Sequence, residues 1–174
     1  MHCINKYIFI AIVVLLLSSC KHGTIKYEYI IVENDVVNKS FIDKLDVPER
    51  ALLSWYLYAY GNECVENSSK VKCQLLKELH IENECDPQHL SMMMQWFSED
   101  MLALYKLNKC PNLSSKSAIQ NSFEKIALIK SADTLSIEFI IKGMNNSQEK
   151  SWNVAQTHSY LINGNAFVII KPNE

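Results

Sequence analysis

A chain of 174 residues, 48% of them hydrophobic and 21% charged, is long enough to bury one core and too evenly composed to be disordered or repetitive. Its formal charge of −2 comes from 17 scattered Lys/Arg against 19 Asp/Glu, which leaves no basic stripe for nucleic acid. Only four glycines occur, too few for phosphate-cradling loops.

The chain opens on an element that stands apart from the fold. Met1–Lys6 precedes an apolar run, Tyr7–Leu17, shorter than the roughly 20 residues a bilayer span needs. A basic start, a short apolar stretch and small residues ahead of a cleavage point make a secretory signal. The residues Leu17-Ser18-Ser19-Cys20 resemble the lipobox of bacterial lipoproteins. That resemblance implies diacylation of the Cys20 thiol, cleavage before it and acylation of the new amine. By the same resemblance Lys21, which is not the aspartate that retains lipoproteins in the inner membrane, implies an outer-membrane address facing the periplasm. Removing residues 1–19 takes away one basic residue, Lys6, and no acidic one, so residues 20–174 form a slightly more acidic single domain. Membrane attachment then falls to the acyl chains, at about 0.8 kcal/mol per buried methylene. An extended pattern already begins at Thr24, so almost no tether separates the domain from the lipid.

Thr24–Val32 is rich in β-branched and aromatic residues and partly alternates, which predicts a strand. Asn34–Asp46 is polar and irregular. Asp46-Val47-Pro48-Glu49 reads as a helix start, with Asp46 as cap, Pro48 in the first turn and Glu49 completing a capping box. This helix runs to about Tyr60, with Gly61 beyond its end. Leu52, Leu53, Tyr56, Leu57 and Tyr60 share one face, with Ser54 and Tyr58 opposite. A second, shorter helix is capped by Ser68 or Ser69 and buries Val71, Leu75, Leu76 and Leu79. Asp86-Pro87 opens a third, predicted to continue unbroken to about Leu107 before Cys110-Pro111 stops it. That third helix is apolar over much of its circumference, so it is packed on two sides or covered by a partner.

From Ser122 the period changes to strands. Phe123–Lys130 and Thr134–Lys142 flank Ser131-Ala132-Asp133, and Trp152–Ile162 and Ala166–Lys171 flank Asn163-Gly164-Asn165, a tight-turn signal. The fold class predicted is α+β: three disulfide-stapled helices packed on an antiparallel sheet of about four to five strands. Helices followed by a strand meander over Pro48–Lys171 resemble the NTF2-like folds in element order alone, which would imply a ligand-holding cone. The early Thr24 strand departs from that order.

Cys64, Cys73, Cys85 and Cys110 remain once Cys3 and Cys20 are set aside. An even number in an exported chain reads as two disulfides, and the spacings contain no Cys-x-x-Cys knuckle for zinc. An unbroken third helix would hold Cys85 and Cys110 roughly 30 Å apart, far beyond the 4.4–6.8 Å Cα separation of a disulfide. The pairing expected on that basis is Cys64–Cys110 with Cys73–Cys85.

No nucleophile elbow, His-Glu-x-x-His, Walker loop or dinucleotide fingerprint occurs, so no catalytic residue and no cofactor are assigned. The densest polar constellation is Glu78, His80, Glu82, Glu84, Asp86 and His89. Two imidazoles among carboxylates suit a divalent metal, but they lack the i,i+4 spacing of a helical pair, and acidic residues at a helix start serve the helix itself. No metal is assigned. His158 and Ser159 are adjacent in a strand and point to opposite faces, so they form no local nucleophile–base pair. Of the helix aromatics, Tyr58 and Trp96 fall off their main stripes and are the candidate contacts for a protein partner. These readings favour a non-enzymatic, lipid-anchored protein-binding module, in one version an immunity protein that occupies the active site of a toxin delivered to the periplasm. The alternative is a small-molecule or lipid-binding NTF2-like cavity lined by Trp55 or Trp96. An enzyme would need His158 or His89 beside a carboxylate in a cleft.

Overall fold

The computed structural model describes residues 26–60, 64, 70–81, 85–110, 119–145 and 147–170. The signal segment with its lipobox, Cys20, Lys21, the start of the Thr24 strand, Gly61, the Ser68/Ser69 cap, Glu82, Glu84 and the Pro111 stop lie outside the described residues. The elements are β1 (Lys26–Glu33), β2 (Val36–Val37), α1 (Lys39–Ile42), α2 (Val47–Ala59), α3 (Val71–Glu78), α4 (Pro87–Trp96), α5 (Met101–Asn108), β3 (Ile119–Ser131), β4 (Thr134–Asn145), β5 (Lys150–Asn163) and β6 (Ala166–Ile170). The α+β reading holds: among the described residues five helices lie on a six-stranded antiparallel sheet of order β2-β1-β3-β4-β5-β6.

The additional strand comes from the segment that looked irregular. Asn34 and Asp35 both adopt positive φ, 51° and 64°, the pairing a type I′ turn requires. They fold Val36–Val37 back on the end of β1. The other hairpins fall where the turn residues put them. Ser131 faces Thr134 across Ala132-Asp133, and Asn163 faces Ala166 across Gly164-Asn165, with Gly164 at φ +60°. Along β4 the side chains of Leu135, Ile137, Phe139 and Ile141 are buried while their alternates are half-buried. A strand with one face in the core shows this period of two.

The first long helix starts as its sequence dictates. The Glu49 amide donates to Asp46 Oδ1 at 3.3 Å and the Asp46 amide donates to Glu49 Oε2 at 2.8 Å. Lys130 of β3 reaches both carboxylates and fastens the helix start to the sheet. Burial pushes Asp46 up, but hydrogen bonds from Lys130 and the Glu49 amide outweigh it and hold that carboxyl below its usual range. Burial pushes Glu49 up, and there it prevails. Residues Ala51–Tyr58 are buried without exception, so the middle turns of α2 have no wet face. Tyr56, Phe97, Phe123, Phe139 and Phe167 fill the space between helices and sheet. Fully buried rings of this size dominate a core of this kind.

The predicted third helix is two helices, and this overturns the disulfide expectation. α4 ends at Trp96, and Asp100 opens α5, its Oδ1 accepting from the Leu102 and Ala103 amides at 3.0 Å each. Asp86 caps α4 in the same manner, accepting from the Gln88 and His89 amides. The break between them lets the chain turn back, so Cys85 and Cys110 meet with Cα atoms 5.8 Å apart, while Cys64 pairs with Cys73 at 5.3 Å. The pairs Cys64–Cys110 and Cys73–Cys85 are therefore incorrect. The geometric argument against Cys85–Cys110 held only for an unbroken helix.

Candidate functional site

Tyr58 and Trp96, the candidate partner contacts, are both buried. Tyr58 lies in the core and its hydroxyl donates to the Lys106 carbonyl at 2.7 Å, tying α2 to α5. Trp96 is buried against Phe167, with ring centroids 4.9 Å apart. Tyr58 fell off a predicted stripe because α2 is buried all round its middle turns, and Trp96 because the stripe that α4 buries is His89, Met93 and Trp96. Trp55 is likewise packed, between Tyr58 and Phe97.

His158 of β5 enters a polar arrangement with two tyrosines. It projects to the helix-facing side of the sheet opposite Ile137. Its Nδ1 meets the Tyr56 hydroxyl, which lies 3.1 Å from the Tyr160 hydroxyl. Burial lowers the pKa of His158, and burial followed by the neighbouring Tyr160 raises that of Tyr56. A neutral imidazole that accepts at Nδ1 suits a chain running from Tyr160 through Tyr56 to His158. The chain ties α2 to β5 through the core. Ser159 points to the opposite face and shares a hydrogen bond of 2.7 Å with Ser136.

Of the His/Glu/Asp constellation, the structure brings His80, Asp86 and His89 to one groove between α2, α3 and α4. His80 is there for a backbone reason. It adopts φ 60° just past α3, with its amide bonded to the Lys77 carbonyl and that of Ile81 bonded to Leu76. These two bonds make a Schellman end, here with histidine in the place usually taken by glycine. Among the described residues no group of three or more His, Cys, Asp or Glu is placed to hold a metal.

The surface feature that stands out is one the sequence reading passed over. β5 has fourteen residues, and β4 pairs with it from Lys150 to Leu161. β6 has five residues and covers the other edge only from Ser159 to Asn163. Among the described residues nothing pairs with that edge from Ser151 to His158. Every second residue of such an edge turns an N–H and a C=O outward, and natural edges are blunted by Lys, Pro or bulges. This one, Ser-Trp-Asn-Val-Ala-Gln-Thr-His, has no charged residue and no proline, and its register with β4 carries no bulge. Trp152 and Val154 sit on its helix-facing side, each more than a third exposed. Gly143 lies opposite Trp152, and the indole occupies the space a side chain at 143 would need. A second exposed apolar surface is formed by Met101, Leu102 and Tyr105 on α5. No described helix is long and apolar enough to cross a membrane. No protein-family model, curated protein or solved structure matches the chain, so its function has to be read from its own residues.

Proposed function

We propose that this protein is a non-enzymatic protein-binding lipoprotein, anchored through Cys20 to the periplasmic face of the outer membrane. Its partner adds an extended segment to the free edge of β5. The observation that carries the proposal is that edge: eight consecutive uncharged, proline-free residues with outward backbone donors and acceptors. In strand addition the main chain supplies affinity, while pockets beside alternate side chains, here Trp152 and Val154, supply selectivity. The lipobox-like Leu17–Cys20 supports the address, and two disulfides suit an oxidising compartment. A concrete form is an immunity protein whose exposed edge seizes a toxin arriving in the periplasm. The acidic balance of the mature chain suits a basic partner.

The test is crosslinking in intact cells from a photoreactive residue at position 154 of the full lipoprotein. One protein captured in roughly equal amount, and lost from the double variant Val154→Lys/Ala155→Lys with its Tm unchanged, is the expected result. Equal capture by that variant, or no captured protein at all, would refute the assignment of the edge.

A further inference from the structure

The groove between α2, α3 and α4 has a volume of about 660 Å³, inside the range of small-molecule sites. It shares no residue with the β5 edge, so the two readings stand or fall separately. Two polar side chains, Ser54 and His89, open on it. Ser54 is 1% exposed and His89 8%. Among the described residues neither the Ser54 hydroxyl nor the His89 ring makes a hydrogen bond. Among the described residues Glu49 Oε1 is the one buried side-chain atom without a hydrogen-bond partner, so the polar atoms of Ser54 and His89 reach the open groove and can meet a ligand there.

Arg50 supplies the third feature. Its Nε donates to the Leu45 carbonyl at 3.1 Å and one terminal nitrogen donates to the Ile42 carbonyl at 3.2 Å. A guanidinium carries five N–H donors, so three remain. Among the described residues no carboxylate lies within ion-pair distance of Arg50. Asp86 stands nearby, but its Oδ1 is committed to the Gln88 and His89 amides at 3.0 Å. The remaining wall is apolar, with Leu79, Ile81 and Met92.

We infer that this groove binds a small monocarboxylate with an apolar body. The carboxylate meets the unused donors of Arg50, the ligand's polar atoms satisfy Ser54 and His89, and its hydrocarbon lies on Leu79, Ile81 and Met92. The fork of parallel N–H groups left on Arg50 fits a planar carboxylate. A dianionic phosphate would be only half neutralised beside Asp86. Burial keeps His89 below its ordinary pKa, so at neutral pH it offers one donor and one acceptor without adding charge.

Phenylacetate and its neutral analogue phenylacetamide, titrated into the full chain in detergent, test this by calorimetry and by the ring NMR signals of His89. The expected result is millimolar or tighter binding of phenylacetate, at least tenfold over the amide, with the His89 signals shifting along the same isotherm. Arg50→Gln removes the tenfold preference. His89→Phe, which fills the floor, abolishes binding of both. If Arg50→Gln fails to fold through loss of its bonds to α1, Ser54→Val and His89→Phe decide alone. Equal affinity for acid and amide overturns the carboxylate assignment. Still His89 signals, or binding that survives both floor variants, overturns the site.

Discussion

The disulfide pairing yields a test whose magnitude follows from the chain separations. Cys64 and Cys73 are 9 residues apart, and Cys85 and Cys110 are 25 apart. With a loop entropy of about −2.1 − 1.5R ln n cal/mol/K, these bridges stabilise the fold by about 2.6 and 3.5 kcal/mol at 25 °C. The variant Cys64→Ser/Cys73→Ser removes one bridge and leaves the other intact, so it loses about 2.6 kcal/mol. Cys85→Ser/Cys110→Ser loses about 3.5 kcal/mol. In the nested arrangement, Cys64–Cys110 with Cys73–Cys85, either double variant would break both bridges and leave two free thiols. Each loss would then be about 6–7 kcal/mol, enough to unfold many domains. Equilibrium urea unfolding of the oxidised variants measures the losses, and thiol titration of the denatured chains counts free cysteines. The reasoning fails if either double variant carries two reactive thiols or both lose about the same large amount. A non-reducing digest that joins the Cys64 peptide to the Cys110 peptide would refute it outright.

Four further outcomes follow from the core and the caps. Asp100→Ala removes both side-chain bonds at the start of α5 and should cost about 1 kcal/mol, measured by urea midpoint at constant m-value. Tyr56→Phe strands the Tyr160 hydroxyl in the core and should cost about 1–3 kcal/mol, with near-ultraviolet dichroism retained; a loss below a few tenths would show that the chain to His158 is not formed in solution. Burial holds both His89 and His158 below 6.5, so the unfolded chain takes up protons that the folded one refuses. Stability is then fully present above the unfolded value and falls as pH drops through 6.5 toward the folded values, and His89→Gln/His158→Gln should flatten that slope. Gly143→Ala places a Cβ 2.0 Å from the Trp152 ring, so the half-exposed indole must swing outward, costing about 1 kcal/mol with a red shift in tryptophan emission.

Local chemistry was legible where one residue decides the outcome. The Asp46–Glu49 capping box, the apolar side of α3 and the hairpins at Ala132-Asp133 and Gly164-Asn165 follow from side chains within four positions of each other. The break between α4 and α5 had a local signal as well. Ser98-Glu99-Asp100 precedes an apolar run, and Asp100 is as good a cap as Asp86. The continuous apolar pattern on either side masked it, because a two-sided stripe looks alike whether one helix is sandwiched or two are folded against each other. β2 was missed for a different reason. Asn34-Asp35 is a strong turn pair, but two residues of strand leave too short a pattern to detect.

The candidate site was less legible because it depends on what surrounds each element. Tyr58 and Trp96 were singled out on the premise that a helix has one dry face. That premise fails for α2, whose residues Ala51–Tyr58 are all buried, and no helical wheel reveals how many neighbours will surround a helix. The β5 edge depends on neighbours too, yet there the sequence held a measurable clue. The strand predicted over Trp152–Ile162 is about twice as long as the one predicted over Ala166–Lys171, and a hairpin with a tight turn aligns its two arms from the turn outward. An arm that outruns its mate must leave its far half unpaired on that side unless a third strand covers it. Because β4 lies on the opposite side of β5, the unmatched length becomes the free stretch Ser151–His158. Unequal arms around a fixed turn therefore locate an exposed edge before any coordinates exist, whereas the off-stripe aromatics that looked like surface contacts were core.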